Sequence, residues 1–441
     1  MSQTSQTIRL LRDYESRNVL FAEPDGSWPI VWERARGVHV WDAEGKKYLD
    51  LTAAFGVAAA GHANPNVVKA GQRQMAKLLH AMGDVHPHAL KAQLARELSR
   101  ITFERWTNST ELKTKNSKLK TAKTIFSNSG FEAVESALKT ALLATGQRGV
   151  IAFAGGYHGL GYGALNATHR EHFRRPFRSQ LREFGRFVKF PTRLGQLAQT
   201  EKTIRRIFHR EKIGAILVEP VQARGGINIP PPELLPLLRR LCDEHGALLI
   251  LDEIYTGFGR TGRWFACEHS GVIPDLICLG KALTGGFPLS ACVGRAGLMD
   301  AAWPPSTGEA IHTSTFLGHP VGCAMALAQI KEIQRLKLCE RSAALGKFLV
   351  GELSSIKNSK LKIKNSSRGL GLMAGLELTL PDGKPATQIA LDAIKTLLHR
   401  GYIFLPEGEH ANVISFTPPL TITGTQLAKA VGELKVVLTA Y

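Results

Sequence analysis

Three observations predict an α/β fold built on a mostly parallel sheet flanked by helices. Short apolar runs alternate with helix-patterned segments through the middle of the chain. One run, Ala247 to Leu251, is apolar at every position and ends in Asp252 and Glu253, as a strand buried on both faces does. Another, from Asp275 to Leu279, delivers Lys281 into a glycine-rich turn that ends at Phe287.

In chain order the strand-like runs are Thr124 to Phe126, Val150 to Phe153, Ala215 to Val218, Leu248 to Leu251, Leu276 to Leu279 and Ala291 to Val293. After the first, Ser127-Asn-Ser-Gly-Phe131 leads into a helix whose apolar positions are Val134, Leu138 and Leu142. Ser129 and Glu132 have the spacing of a capping box. The free amides after Ser129 and Gly130 form an anion site with the helix dipole behind them. After the second run comes Gly155-Gly-Tyr157-His158-Gly159, a turn that can lay Tyr157 or His158 flat on a planar ligand. Pro230-Pro-Pro punctuates the start of a helix through Leu241, which leads back to the Asp252 strand.

Open α/β sheets place their sites at the carboxyl ends of the strands, where this chain carries its acids and its lysine. A lysine whose pKa is lowered by burial or a neighbouring cation can form a Schiff base with a carbonyl cofactor such as pyridoxal phosphate. A carboxylate beneath the ring, for which Asp252 is the choice, keeps the pyridine nitrogen protonated. Taken singly, each motif also fits an ordinary role: a solvated lysine, an ion pair at a strand end, a capped surface helix, a loop with a satisfied histidine.

Together these motifs resemble the class III, fold-type I, pyridoxal-phosphate-dependent aminotransferases, which include the ornithine, acetylornithine, 4-aminobutyrate and ω-amine enzymes. The resemblance begins at Trp41 to Asp50 and at Gly61-His62 with Asn64-Pro65. It continues through Val218-Glu-Pro-Val-Gln222, Asp252 to Gly262, the Lys281 segment and His312 to Gly318, and closes at Arg368 to Leu372 and Thr417 to Leu420. It implies a seven-stranded, mostly parallel sheet in a large cofactor domain over 66–324. A smaller α+β domain would combine 1–65 with 325–441.

Residue by residue, the resemblance makes Lys281 the lysine that binds the cofactor and moves the substrate proton, and Asp252 the partner of the pyridine nitrogen. Tyr157 stacks on one ring face and Ile254 packs the other. Ser129, Gly130 and the Phe131 amide hold the phosphate, with Thr315 reaching the phosphate of the neighbouring subunit, which makes a homodimer with shared active sites part of the chemistry. His158, Glu219 and Tyr255 complete the cofactor set, and Phe55, Arg224 and Ser415 the substrate set. Three of these depart from the ornithine and 4-aminobutyrate members. Ser415 stands where they carry a carboxylate-binding arginine, Arg224 where they carry a gating glutamate, and Tyr255 where a glutamine contacts the cofactor's phenolic oxygen. A guanidinium at Arg224 can instead take a substrate carboxylate bidentately, or pair with an acid.

The implied activity is transfer of an amino group from an ω-amino acid or amine, 4-aminobutyrate-like, to a 2-oxo acid such as 2-oxoglutarate or pyruvate, by a ping-pong mechanism. An aminomutase, racemase or decarboxylase of the same fold is the alternative, and a non-catalytic cofactor-binding protein a further one.

Composition agrees with an enzyme: 441 residues at 44% hydrophobic build two domains with a sizeable core. No apolar run is long enough for a membrane span, and the polar start Met1-Ser-Gln-Thr-Ser-Gln has no signal segment. Six scattered cysteines without a Cys-x-x-Cys pair suit reduced thiols in a cytoplasm, and no metal is expected. The net charge of +19 raises nucleic acid as a partner, but much of it is local. Lys-Asn-Ser-Lys-Leu-Lys occurs at 115–120 and again at 357–362, inside polar stretches at 107–123 and 354–368 that read as low-complexity insertions. Neither carries aromatics between its bases, so nucleic acid is not expected as a partner, and without a long apolar run neither is a membrane. Arg170 to Arg186, with six arginines and three phenylalanines, is the better candidate patch.

Overall fold

A computed structural model describes residues 2–108, 121–356 and 363–441. Its largest sheet has seven strands in the order Ala122–Ser127, Ser290–Arg295, Leu276–Leu279, Leu248–Asp252, Ile213–Val218, Gly149–Phe153 and Gly185–Val188. Only Ser290–Arg295 runs antiparallel to its neighbours. The central strands are buried along their whole length because helices cover both faces, which is why they read as unbroken apolar runs. Leu217, Ile250 and Leu276 pack one face with the helix Gly130–Thr145, while Ile216, Leu249 and Leu251 pack the other with Leu234–His245.

The seventh strand, Gly185–Val188, lies at the end of the arginine-rich stretch that suggested a basic patch. Only Phe187 and Val188 of its four residues are large and apolar, and Arg186 precedes them, so no run was legible there. Several of those arginines are tied locally: Arg186 pairs with Glu211 at 2.7 Å, and the buried Arg174 lies over the Phe187 ring and bonds Glu171.

Two four-stranded sheets form a smaller α+β region. One joins Trp32–Arg36, His39–Asp42 and Lys47–Asp50 to Tyr402–Ile403, which pairs with Lys47–Asp50 in parallel. The other orders Lys364–Gly369, Ala374–Thr379, Val413–Phe416 and Leu405–Glu407 as an antiparallel sheet. The helix Pro320–Arg335 runs unbroken through the 324/325 boundary expected from the sequence and packs on Pro65–Lys77. No proline or glycine pair interrupts it at that point.

The lysine-rich stretches at 107–123 and 354–368 are structured at their margins. Residues 109–120 and 357–362, including both copies of the hexapeptide, lie outside the described residues. Around them, Thr107 belongs to the helix Arg105–Asn108, and Ala122 and Lys123 already pair in the large sheet. Lys364 to Arg368 is an edge strand. Its polar sequence hides it because its stability comes from the partner strand Ala374–Thr379, which carries the apolar residues.

Candidate active site

Five of the parallel strands end at one rim of the large sheet, and the loops that follow them line a cavity of about 500 Å³. Lys281, Asp252, Ile254, Tyr255, Glu219, Arg224, Tyr157, His158, Gly130, Phe131 and Phe55 all line it. These segments are far apart in sequence, and sheet order brings them together.

The two acids closing the Leu248–Asp252 strand are separated by the pleat, since successive side chains leave on opposite faces. Asp252 faces the cavity, where Oδ2 lies 2.7 Å from His158 Nδ1 and Oδ1 accepts from the Ile254 amide at 3.1 Å. Glu253 turns into the protein. It accepts from Thr256, Ala266 N and Cys267 N, a structural role that distinguishes the pair. Lys281 follows Gly280 with φ of 38°, left-handed for a residue with a side chain, at a cost of about 1–3 kcal/mol held by the surrounding fold.

Burial lowers the Lys281 pKa, against the opposing charges of Asp252 and Glu219. The Lys281 Nζ lies 4.6 Å from the centroid of the Tyr255 ring, a cation–π contact. Glu219 is pushed up to about 7, chiefly by burial, although its oxygens accept from the Tyr157 and Ala223 amides at 3.0 and 3.1 Å. His158 is buried, which opposes its protonation, yet the hydrogen bond and charge of Asp252 raise its pKa. An imidazole that is fixed to the carboxylate holds it rather than stacking on a ring, so of the aromatic pair Tyr157 is the one left to face a ligand.

The helix Gly130–Thr145 points its N-terminus at the cavity. Glu132 Oε2 accepts from the Asn128 and Ser129 amides at 2.9 and 2.7 Å, so the capping acid expected from the sequence is in place. Helix geometry leaves the Gly130 and Phe131 amides without an intrahelical acceptor, free for an anion. Ser129 sits behind them, its hydroxyl 3.1 Å from Glu132. Ile254 packs against Gly130 and Gly280 closely enough that a Cβ on either would lie 3.1 or 3.3 Å from it. A free anion site, a carboxylate held beneath the cavity and a lysine amine fit the phosphate, ring nitrogen and carbonyl of pyridoxal phosphate.

Four further expected residues have these surroundings. Tyr255 lines the cavity, and its hydroxyl is 3.2 Å from Thr417 Oγ1. Ser415 donates to Leu405 O at 2.9 Å across the strand pair and is not part of the cavity lining. Thr315 is exposed and outside the cavity of this chain. Arg224 lines the cavity but is paired: its Nε is 3.4 Å from Glu407 Oε2, and its guanidinium lies 5.4 Å from the Tyr157 ring centroid. Glu407 was not visible in the sequence. Its signal is one of register, since Leu405 opposes Ser415 and Glu407 follows two residues along the same strand face.

The aminotransferase class-III family model matches residues 20–438. The 5-aminovalerate aminotransferase of Pseudomonas aeruginosa is 37% identical over 92% of each chain. A putrescine aminotransferase of Pectobacterium atrosepticum is 37% identical over 94% of this chain and 83% of its own. An amine transaminase from an uncultivated Pseudomonas species, solved in its pyridoxal-phosphate-bound form, superposes with a TM-score of 0.84 at 26% identity over 97% of this chain and 98% of that one. The chain belongs to the class-III aminotransferases, which are pyridoxal-phosphate-dependent transaminases.

Proposed function

We propose that this aminotransferase moves an amino group from an ω-amino acid or amine to a 2-oxo acid, 2-oxoglutarate or pyruvate, by ping-pong exchange in one cavity. The observation that carries the reading is that Lys281, with its lowered pKa, shares the cavity with Asp252 and with Arg224. Relatives named for 5-aminovalerate and putrescine support a donor whose amine is distant from any carboxylate.

When bound, pyridoxal phosphate supplies a carbonyl for the amine and a ring that accepts electrons. The Gly130 and Phe131 amides would hold its phosphate, with Ser129 behind them, and Tyr157 and Ile254 would face its ring. Asp252, aligned by His158, would stabilise a proton on the ring nitrogen. Lys281 Nζ takes the proton from the substrate carbon and returns it, a task that a depressed amine pKa suits at neutral pH. Glu219 fixes the Tyr157 and Ala223 amides and so shapes the wall. Arg224 receives the substrate carboxylate, with Phe55 beside the entrance. We place the cofactor domain over 66–324 and the smaller domain over 1–65 with 325–441.

A homodimer completes the site in this reading, with Thr315 of each subunit serving the other. Exposed apolar side chains support it: Phe55, Phe131 and Leu160 of the cavity lining are 48%, 38% and 48% exposed, and Phe316, next to Thr315, is 53% exposed. The reading is of a cytoplasmic protein; five of the six cysteines are buried free thiols, and no helix among the described residues is long and apolar enough to cross a membrane. The test is a screen of amines and amino acids for bleaching of the cofactor absorbance, followed by 2-oxo acids for its return. Bleaching by an ω-amino acid and recovery with a 2-oxo acid is the expected result. Loss of CO2 or inversion of a stereocentre without amino transfer would overturn it in favour of a decarboxylase or racemase.

A further inference from the structure

We infer that Glu407 is a specificity-determining residue that receives the distal ammonium of an α,ω-diamine donor, with Arg224 moving aside to admit it. The inference rests on the proposed function and concerns the far end of the donor.

Three carboxylates stand in or behind the cavity, and they are satisfied unequally. Asp252 has an imidazole and an amide, and Glu219 has two amides. Glu407 is 4% exposed, and its one charged partner is Arg224 Nε at 3.4 Å; among the described residues no donor hydrogen-bonds its carboxylate. Arg224 Nε is itself buried without a hydrogen bond. A buried carboxylate in this condition lacks donors, and a protonated amine supplies three. Arg224 is the group in the way and also the group able to move. Its side chain is 34% exposed and lies over the Tyr157 ring rather than in a fork-to-fork pair with Glu407. Burial raises the Glu407 pKa to about 7, with Arg224 opposing, as suits an acid short of partners.

The arrangement meets a requirement of two-substrate exchange in one cavity. A fixed arginine would favour carboxylates in both halves of the reaction, and a fixed bare acid would repel the 2-oxo acid. A flexible cation over a fixed anion accommodates either sign: Arg224 in place presents a positive wall, and Arg224 displaced presents a negative one.

The experiment compares 1,4-diaminobutane, butylamine and 4-aminobutyrate as donors for the cofactor-loaded wild type, Glu407→Gln and Glu407→Asp. In Glu407→Gln the diamine-to-butylamine ratio of kcat/KM is expected to fall about 10-fold to 100-fold, mainly through KM, because a charge-assisted contact is lost. Glu407→Asp, which keeps the charge, should lose less. A ratio unchanged within about 2-fold in both variants overturns the inference. So does a wild type that consumes 4-aminobutyrate but not the diamine, an outcome that leaves the proposed function standing. A wild type that consumes none of the three overturns both.

Discussion

The floor and the wall of the cavity are built on different terms. On the floor both carboxylates have their partners: Asp252 is held by His158 and the Ile254 amide, and Glu219 by two more amides. On the wall, Arg224 and Glu407 meet at 3.4 Å without a hydrogen bond between them. A group that stabilises charge on a cofactor works best when it cannot reorganise, whereas a group that admits chemically different substrates must be able to. In the proposed function the saturated network carries the cofactor chemistry and the unsaturated pair the selectivity.

Substitutions should separate the two regions by size and by kind of effect. On the floor, Lys281→Ala should abolish turnover, and borohydride reduction with peptide mapping should label Lys281; a label on another lysine would place the chemistry elsewhere. Asp252→Asn should keep the fold and lose about 3 kcal/mol or more of transition-state stabilisation, near two orders of magnitude in kcat, for every donor alike. Near wild-type turnover in that variant removes Asp252 from the mechanism.

The wall should respond selectively. Arg224→Ala is expected to raise KM for substrates with a carboxylate by about 10-fold to 100-fold while leaving simple amines nearly unaffected in the first half-reaction. Equal losses for both would show that Arg224 is structural and erase the distinction between the regions. The smallest effect is expected away from both. Deleting Leu112 to Lys120, a lysine-rich segment outside the described residues, should leave kcat and cofactor content within about 2-fold and lower the positive charge. Loss of cofactor or of the dimer would tie it to the site.

The floor was legible because its residues stand at strand ends, where apolar runs stop and chemistry begins. Asp252, Lys281 and the Ser129–Glu132 helix start are each announced by local pattern, and burial of the strands carries them to one rim. Choosing Asp252 over Glu253 needed the pleat, which the sequence contains in principle. The wall was only half legible. Arg224 and Ser415 stood out by departing from the related enzymes, yet neither indicated Glu407, because that contact depends on antiparallel register between Leu405–Glu407 and Val413–Phe416. The aim of Tyr255 toward Thr417 is likewise a long-range matter, decided 162 residues away. The edge strands Gly185–Val188 and Lys364–Gly369 were missed since their partners, not their own apolar content, hold them in place.

The parallel pairing of Lys47–Asp50 with Tyr402–Ile403 sets a timetable. The Leu51 amide bonds Ile403 O, and Lys46 Nζ bonds His399 O across 353 residues of chain. A ribosome adding about 5–20 residues per second leaves the first strands of that sheet waiting roughly 20–70 s for the strand that completes it. During this interval Asp50, whose side chain later holds Thr52 and His62, lies beside an open sheet edge, exposed to pairing with other nascent chains. Closure of this sheet therefore waits until residue 403 has been made, and a chain truncated before Tyr402 would leave Lys47–Asp50 without its parallel partner.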